Sequence, residues 1–364
     1  MKKTLVAVAA FAAVTGAMAD VAITGNIDQA ITNIKGVAAG SQTSDTTGLM
    51  SVWTPSFITF TGSEDLGSGL KASFKFENGL GINSGNLLAS NAGSGESGQT
   101  GWNRVSSGNR EAWVGISGDF GNIQLGTQYT PVFNTSAGTD PNAVNNVAGW
   151  LPFNVIFGNS AGSNSNAITY TSPSLNGVTL QLQQTYGTTD TVANGTSASA
   201  GDGAGWSINY AAGPLSAGYA QHQKAVAAGG LLAGPTAGDS YATGTGGAVT
   251  ASEGDLAKVN VLALSYDLGV AKVNYLNTTA SLSTDSIKLD TFAVTVPFGA
   301  MSVGYSYSSG KTSSTTDTSY TGQQLGLYYA FSKRTSAYFS YNVAKDTTND
   351  DSITSTAVGI RHAF

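Results

Sequence analysis

The chain contains no cysteine, which excludes disulfides, thiolate nucleophiles and Cys-ligated metals. Charged residues are scarce too: Asp, Glu, Lys and Arg make up 10% of the chain, against about a quarter in an ordinary soluble domain. No uninterrupted apolar run reaches the ~18 residues of a membrane-spanning helix, so a helical membrane protein is excluded. Histidine occurs at His222 and His362, the first read in a low-complexity loop region and the second on the wall face of the last strand. Neither has a Ser/Asp constellation around it, and phosphate-cradling loops and metal-ligand spacings are missing as well. An esterase or protease is therefore a remote reading, and no enzyme activity, cofactor or metal is expected.

What is present is glycine, 47 residues in 364, and a persistent two-residue alternation of apolar with polar or small side chains. Lys2 and Lys3, an apolar run from Leu5 to Val14 and the small-x-small triplet Ala17-Met18-Ala19 read as a secretory signal peptide over 1–19. Removing it would leave 14 bases against 22 acids, a net charge of about −8 that offers nothing to nucleic acid. At the other end, Val358, Ile360, His362 and Phe364 share one strand face and stop on the carboxyl terminus. An apolar strand at a free end invites aggregation unless it is paired, and a closed barrel pairs the last strand with the first. Two architectures fit: a transmembrane barrel, or a secreted β-sandwich or β-helix rich in Gly, Ser and Thr. The length of the alternating segments favours the barrel.

Seven tight connections rich in Gly, Pro, Asp and Ser punctuate the alternation: Glu64–Gly67, Gly118–Gly121, Ser172–Gly177, Ala212–Pro214, Tyr266–Gly269, Val296–Gly299 and Phe331–Arg334. With both termini on the short-turn side, they predict an all-β, antiparallel transmembrane β-barrel of about 16 strands over 20–364. A barrel of that size encloses water rather than filling itself with side chains. Stretches 87–100, 188–205, 225–254 and 311–319 become outer loops. Ile23, Ile27 and Ile31, then Ala72, Phe74 and Phe76, and later Leu325, Leu327, Tyr329 and Phe331, or Ala337, Phe339, Tyr341 and Val343, would face lipid. Thr24, Asn26 and Asp28, or Lys71, Ser73, Lys75 and Glu77, would face water. The third loop, 131–165, differs in carrying Trp150, Pro152, Phe153, Ile156 and Phe157. Such side chains need a surface to pack on. Either the loop folds into the lumen, or it packs on a neighbouring loop or subunit.

Ser63-Glu64-Asp65-Leu66-Gly67-Ser68-Gly69-Leu70-Lys71-Ala72 resembles a signature of the general porins of β-proteobacteria. So do Asn109–Ile116, Phe120–Pro131, Tyr170–Pro173, Leu327–Thr335 and Val358–Phe364, in the same order along essentially the whole mature chain. The resemblance implies a homotrimer of 16-stranded barrels in the cell outer membrane of a Gram-negative bacterium, in contact with lipopolysaccharide. It implies passive diffusion of ions and small hydrophilic solutes, and a third loop folded inward as the constriction. It also makes Phe364 a recognition signal for the barrel-assembly machinery.

Members of that family face a ladder of basic residues toward acidic groups on the third loop. Opposed charges of this kind orient solutes and set ion preference. Arg110 occupies one ladder position, but Phe57, Thr127 and Thr169 stand where the pattern has Arg or Lys. Parity sends Phe57 into the lumen, since Ile58 and Phe60 take the wall. The expected pore constriction is thus Arg110, Lys71, Lys75, Glu77, Asp28, Phe57, Thr127 and Asp140. Arg110 serves selectivity or ties the third loop to the wall. Lys75 and Glu77 can pair along one strand face, Asp140 reads first as a turn residue before Pro141, and Arg361 as a solvated wall residue. The expectation is a weakly charge-selective general channel with a thinned basic ladder. Its rivals are a solute-specific channel with a sliding surface of Phe57 and Trp150, and a structural barrel that conducts little.

Overall fold

The computed structural model describes residues 20–38, 41–82, 109–143, 149–159, 161–187, 202–225, 255–313 and 317–364. The expected export segment 1–19, the expected outer loop 87–100 and most of those at 188–205, 225–254 and 311–319 lie outside the described residues, but 203–205, 225, 311–313 and 318–319 belong to strands rather than to loops.

The described strands are β1 (Asp20–Ala38), β2 (Ser41–Met50), β3 (Phe57–Gly67), β4 (Leu70–Gly79), β5 (Asn109–Gly118), β6 (Gly121–Tyr129), β7 (Ser163–Thr171) and β8 (Val178–Thr185). They continue as β9 (Gly203–Ala212), β10 (Leu215–Ala225), β11 (Leu256–Asp267), β12 (Lys272–Leu282), β13 (Asp285–Phe298), β14 (Met301–Ser313), β15 (Thr318–Ala330), β16 (Thr335–Asp346) and β17 (Asp351–Ala363). Consecutive strands pair antiparallel, except that β2 and β3 both pair with β1, and β17 returns to β1 over Asn26↔Ala363 to Val37↔Ser352, closing the sheet. The backbone amide of Phe364 donates to the Gly25 carbonyl at 3.1 Å, and the Gly25 amide donates back at 3.0 Å. The apolar end strand therefore has its partner.

Seventeen strands make sixteen staves, because β2 and β3 both lie along one edge of β1. β2 covers Ala30–Ala38 and β3 covers Asp20–Asn26, so they are two halves of one stave interrupted at 51–56. Seven tight turns join strands at the end of the barrel that carries Asp20 and Phe364. The expected connections Gly118–Gly121, Ser172–Gly177, Ala212–Pro214 and Phe331–Arg334 meet them. Glu64–Gly67 instead lies within β3, and Tyr266–Gly269 and Val296–Gly299 begin within β11 and β13, so those three turns come later in the chain than expected.

The burial pattern is inside out for a soluble protein. Ile23, Ile31, Val114, Leu125, Phe292 and Val358 are exposed, while Asn26, Asp28, Thr169, Ser306, Gln324 and Asn342 are buried. Water on one face and hydrocarbon on the other of every strand produce this pattern in a spanning barrel. Part of the inner wall departs from it. Val259 and Val261 on β11, Leu276 and Leu282 on β12, and Ile287 and Leu289 on β13 are buried on the lumen side.

That inner apolar patch is covered by the third loop. The loop contains helix α1 (Pro131–Ser136), a single 3-10 turn (Ala137–Thr139) and helix α2 (Leu151–Gly158). Thr130 caps α1 by accepting from the Phe133 amide at 3.1 Å, and Pro131 begins it. α2 packs on β12 and β13, burying Leu151, Val155 and Ile156 in one cluster with the inner-wall residues. Fully burying three side chains of that size contributes on the order of 5 kcal/mol, enough to hold an inward loop in place.

Candidate functional site: the lumen and its charged lining

The third loop crosses the lumen between opposite walls. Near β9 the Thr135 hydroxyl donates to Asn209 Oδ1 at 3.0 Å. At the far side Asn142 Nδ2 donates to Gln324 Oε1 at 3.2 Å, and the Tyr328 hydroxyl donates to Asn142 Oδ1 at 2.6 Å. Gly149 takes φ +97°, and a Cβ there would sit 2.2 Å from the Gln323 carbonyl. Gly322 answers it, since its own Cβ would meet the Gly149 carbonyl at 2.2 Å. Loop and wall approach this closely because neither carries a side chain at the contact.

Against the wall near the root of this loop stands a charged cluster. Arg110 Nε donates to Glu77 Oε1 at 2.7 Å and its terminal nitrogen to the Tyr129 hydroxyl at 2.6 Å. Its guanidinium carbon lies 5.3 Å from the Phe57 ring centre and 6.0 Å from that of Tyr129. Lys75 contacts both Glu77, at 3.1 Å, and Glu111. Two cations and two carboxylates thus cancel. Glu77 also accepts from Thr59 at 3.0 Å, and Trp113 donates to Glu111 at 3.2 Å.

Strict alternation would send both Arg110 and Tyr129 to lipid, with Val114 and Leu125 respectively. Two breaks bring them inside. On β5 the register shifts between Glu77↔Glu111 and Asn78↔Asn109, leaving Arg110 as the extra residue of a β-bulge. Bulges of this kind re-aim a side chain. On β6, Gly126 takes φ +137°, and a Cβ there would meet the Ala112 carbonyl at 2.1 Å. Leu125 lies outward before the glycine and Tyr129 reaches Arg110 after it, while Thr127 is half-buried opposite Ala112.

The remaining predicted positions sort differently. Lys71 sits at the turn end of β4 opposite Asp65, four residues below Lys75, or ~13 Å along the strand, so it does not join the cluster. Asp140 is buried and accepts the Asn142 amide at 2.9 Å, making it the turn residue its sequence context suggests. Asp28 is 0% exposed and faces no open water. It accepts from the Val52 amide at 2.9 Å and the Tyr338 hydroxyl at 2.7 Å. Trp150 is buried at 3% exposure and offers no sliding surface. His222 lies on β10 with its ring buried against Asn164 Nδ2 at 3.2 Å, not in a loop.

Residues 51–56, which the sequence reading did not single out, make a second inward feature. Ser56 Oγ accepts from the Asp28 amide at 2.9 Å and donates to the Asp28 carbonyl at 3.0 Å, standing in for the missing ladder. The segment thereby carries Trp53 against Tyr328 at 4.3 Å and Tyr338 at 5.7 Å between ring centres. The guanidinium carbon of Arg361 lies 5.0 Å from the Trp53 ring centre, and Arg361 Nε donates to Asn26 Oδ1 at 2.6 Å. The one sequence cue was a Trp-Thr-Pro triplet where β2 should have run on.

Comparison with known proteins fits this geometry. Residues 4–351 match the family described as Gram-negative porin. Outer membrane porin protein 32 of Delftia acidovorans is 27% identical over 398 aligned positions, covering all of both chains. The major outer membrane protein P.IB of Neisseria gonorrhoeae is 37% identical over 139 residues, 38% of this chain and 35% of that protein. Alignments to such P.IB proteins therefore span about a third of their length. Among solved structures, the anion-selective porin from Comamonas acidovorans superposes with a TM-score of 0.75 over 95% of this chain and 100% of that one, at 23% identity. Salmonella typhi OmpF superposes with a TM-score of 0.62 over 94% of this chain and 97% of that one, at 14% identity.

Proposed function

The chain belongs to the Gram-negative porin family, and on that premise we propose that its constriction is a nearly charge-balanced ring of weak ion selectivity. The protein is an outer-membrane porin, a water-filled channel for passive diffusion of ions and small hydrophilic solutes. The constriction is formed by the inward part of residues 131–165 and the wall cluster Arg110, Lys75, Glu77 and Glu111, with Phe57 and Thr127 beside it. One observation carries the weak selectivity: Arg110 and Lys75 are both ion-paired, at 2.7 Å and 3.1 Å to Glu77. Paired charges present little net field to a passing ion.

Three such barrels assemble as a homotrimer, as one of the solved neighbours, OmpT of Vibrio cholerae, is titled a trimer form. Residues 1–19 direct export. Phe364, whose ring lies against Gly25 on the outer wall, is read by the barrel-assembly machinery. Lipopolysaccharide surrounds the outer rim, where Lys288 and Lys311 face each other four residues beyond the Phe292↔Tyr307 pair.

The test is the reversal potential of single trimers in a planar bilayer under a KCl gradient. The expected anion-to-cation permeability ratio lies within about threefold of unity, a preference of under ~1 kcal/mol. A strongly anion-selective channel would overturn the balanced-ring reading.

A further inference from the structure

Beyond the charged cluster the lumen holds a further cation, Arg361, that the cluster does not neutralise. Among the described residues, Arg361 makes no ion pair and uses Nε alone as a hydrogen-bond donor, to Asn26. Its guanidinium lies by the Trp53 ring, and the Trp53 ring is fixed in turn by Tyr328 and Tyr338. Its cross-strand neighbour, Asp28, would be the natural counter-ion, since the two stand directly opposite in the β1–β17 ladder. The Asp28 carboxylate is instead turned to the Val52 and Thr54 amides and to Tyr338, where it holds the 51–56 segment. Arg361 remains half-buried, with its two terminal nitrogens free of any protein partner among the described residues.

We propose that Arg361, held by Trp53 and Asn26, is a binding site for small organic monocarboxylates passing through the channel. The idea rests on the diffusion-channel reading and adds a site that slows one class of solute. Terminal guanidinium nitrogens form a planar fork that matches the two oxygens of a carboxylate. The Nε bond and the aromatic contact fix that fork in advance, so little side-chain freedom is lost on binding. The buried charge of Asp28 across the ladder opposes a second negative charge, which favours a monoanion. Thr54, whose Oγ1 accepts from Asn26, has its own hydroxyl proton available at the edge of the site.

Conductance of wild-type trimers measured against the concentration of potassium acetate tests the site. Wild type saturates with acetate and stays closer to linear with chloride. Arg361→Gln raises the half-saturating acetate concentration about tenfold, and Arg361→Lys, which keeps the charge but loses the fork, about threefold. Trp53→Phe keeps a ring in place and serves where an arginine variant does not insert. A wild-type conductance linear in acetate would overturn the site, as would an Arg361→Gln channel that saturates like wild type. Absence of wild-type conductance steps altogether would instead overturn the channel reading.

Discussion

Among the described residues two arginines, Arg110 and Arg361, reach this lumen, and they differ in what their neighbours leave free. Arg110 sits in a bulge with Glu77 at 2.7 Å, Tyr129 at 2.6 Å and aromatic rings at 5.3 Å and 6.0 Å. Arg361 sits on a regular strand with one hydrogen bond and one ring, and its facing acid is engaged elsewhere. The comparison teaches that a charge counted along a pore is not a charge offered to a solute. Here the cation in the ladder position is the neutralised one, and the cation outside it keeps donors for an anion.

The largest expected separation between the two is in stability. Arg110→Ala leaves Glu77, with 7% side-chain exposure, holding a desolvated charge with Lys75 as its remaining cation. Breaking a buried ion pair from one side costs about 3 kcal/mol. Arg361→Ala removes one hydrogen bond and one cation–aromatic contact at a half-open site, about 1 kcal/mol. Urea unfolding of the two variants, followed by the heat-modifiable shift in gel mobility, compares them directly. Equal losses would mean that Arg361 is as structural as Arg110.

Much of the barrel is legible in the sequence, and the reason is periodicity. One face wet and one face greasy leaves a two-residue rhythm, and tight turns leave Gly, Pro and Asp. That rhythm gave the number of short turns, located four of them and set the other three a few residues early, and it placed Phe57, Lys75 and Glu77 in the lumen. Wherever the rhythm is interrupted, sequence reading loses sight of the chain. Arg110 and Tyr129 point inward only because a bulge and Gly126 break alternation, and family resemblance alone drew attention to Arg110. Residues 51–56 split one stave in two, which hid Trp53 and made Asp28 look like a pore charge when it is an anchor. The inner apolar patch had a faint cue, the unbroken run Val261-Leu262-Ala263-Leu264 on β11. A strand apolar on both faces must be covered on both.

Removing an acid should bring Arg110 closer to Arg361 in behaviour. In Glu77→Gln, Arg110 and Lys75 face Glu111 alone, so the cluster gains one net positive charge. The anion-to-cation permeability ratio should rise about threefold, equivalent to roughly 0.6 kcal/mol for a partly solvated charge. The same reversal-potential measurement reads it. An unchanged ratio would place the narrowest point of the pore away from this cluster.

The smallest effect examines the ring beside each arginine. Trp53→Phe keeps the packing on Tyr328 but offers a smaller ring with a weaker face for the Arg361 guanidinium, which then samples more orientations. Half-saturation by acetate should rise about twofold, less than for Arg361→Lys, because the fork is loosened rather than removed. Phe57→Leu performs the matching change under Arg110, where Glu77 and Tyr129 already fix the guanidinium and fill its donors. Its shift in acetate saturation should be smaller still. If Phe57→Leu moved the curve as far as Trp53→Phe, the two arginines would share one anion path, and the distinction drawn from their partners would fail.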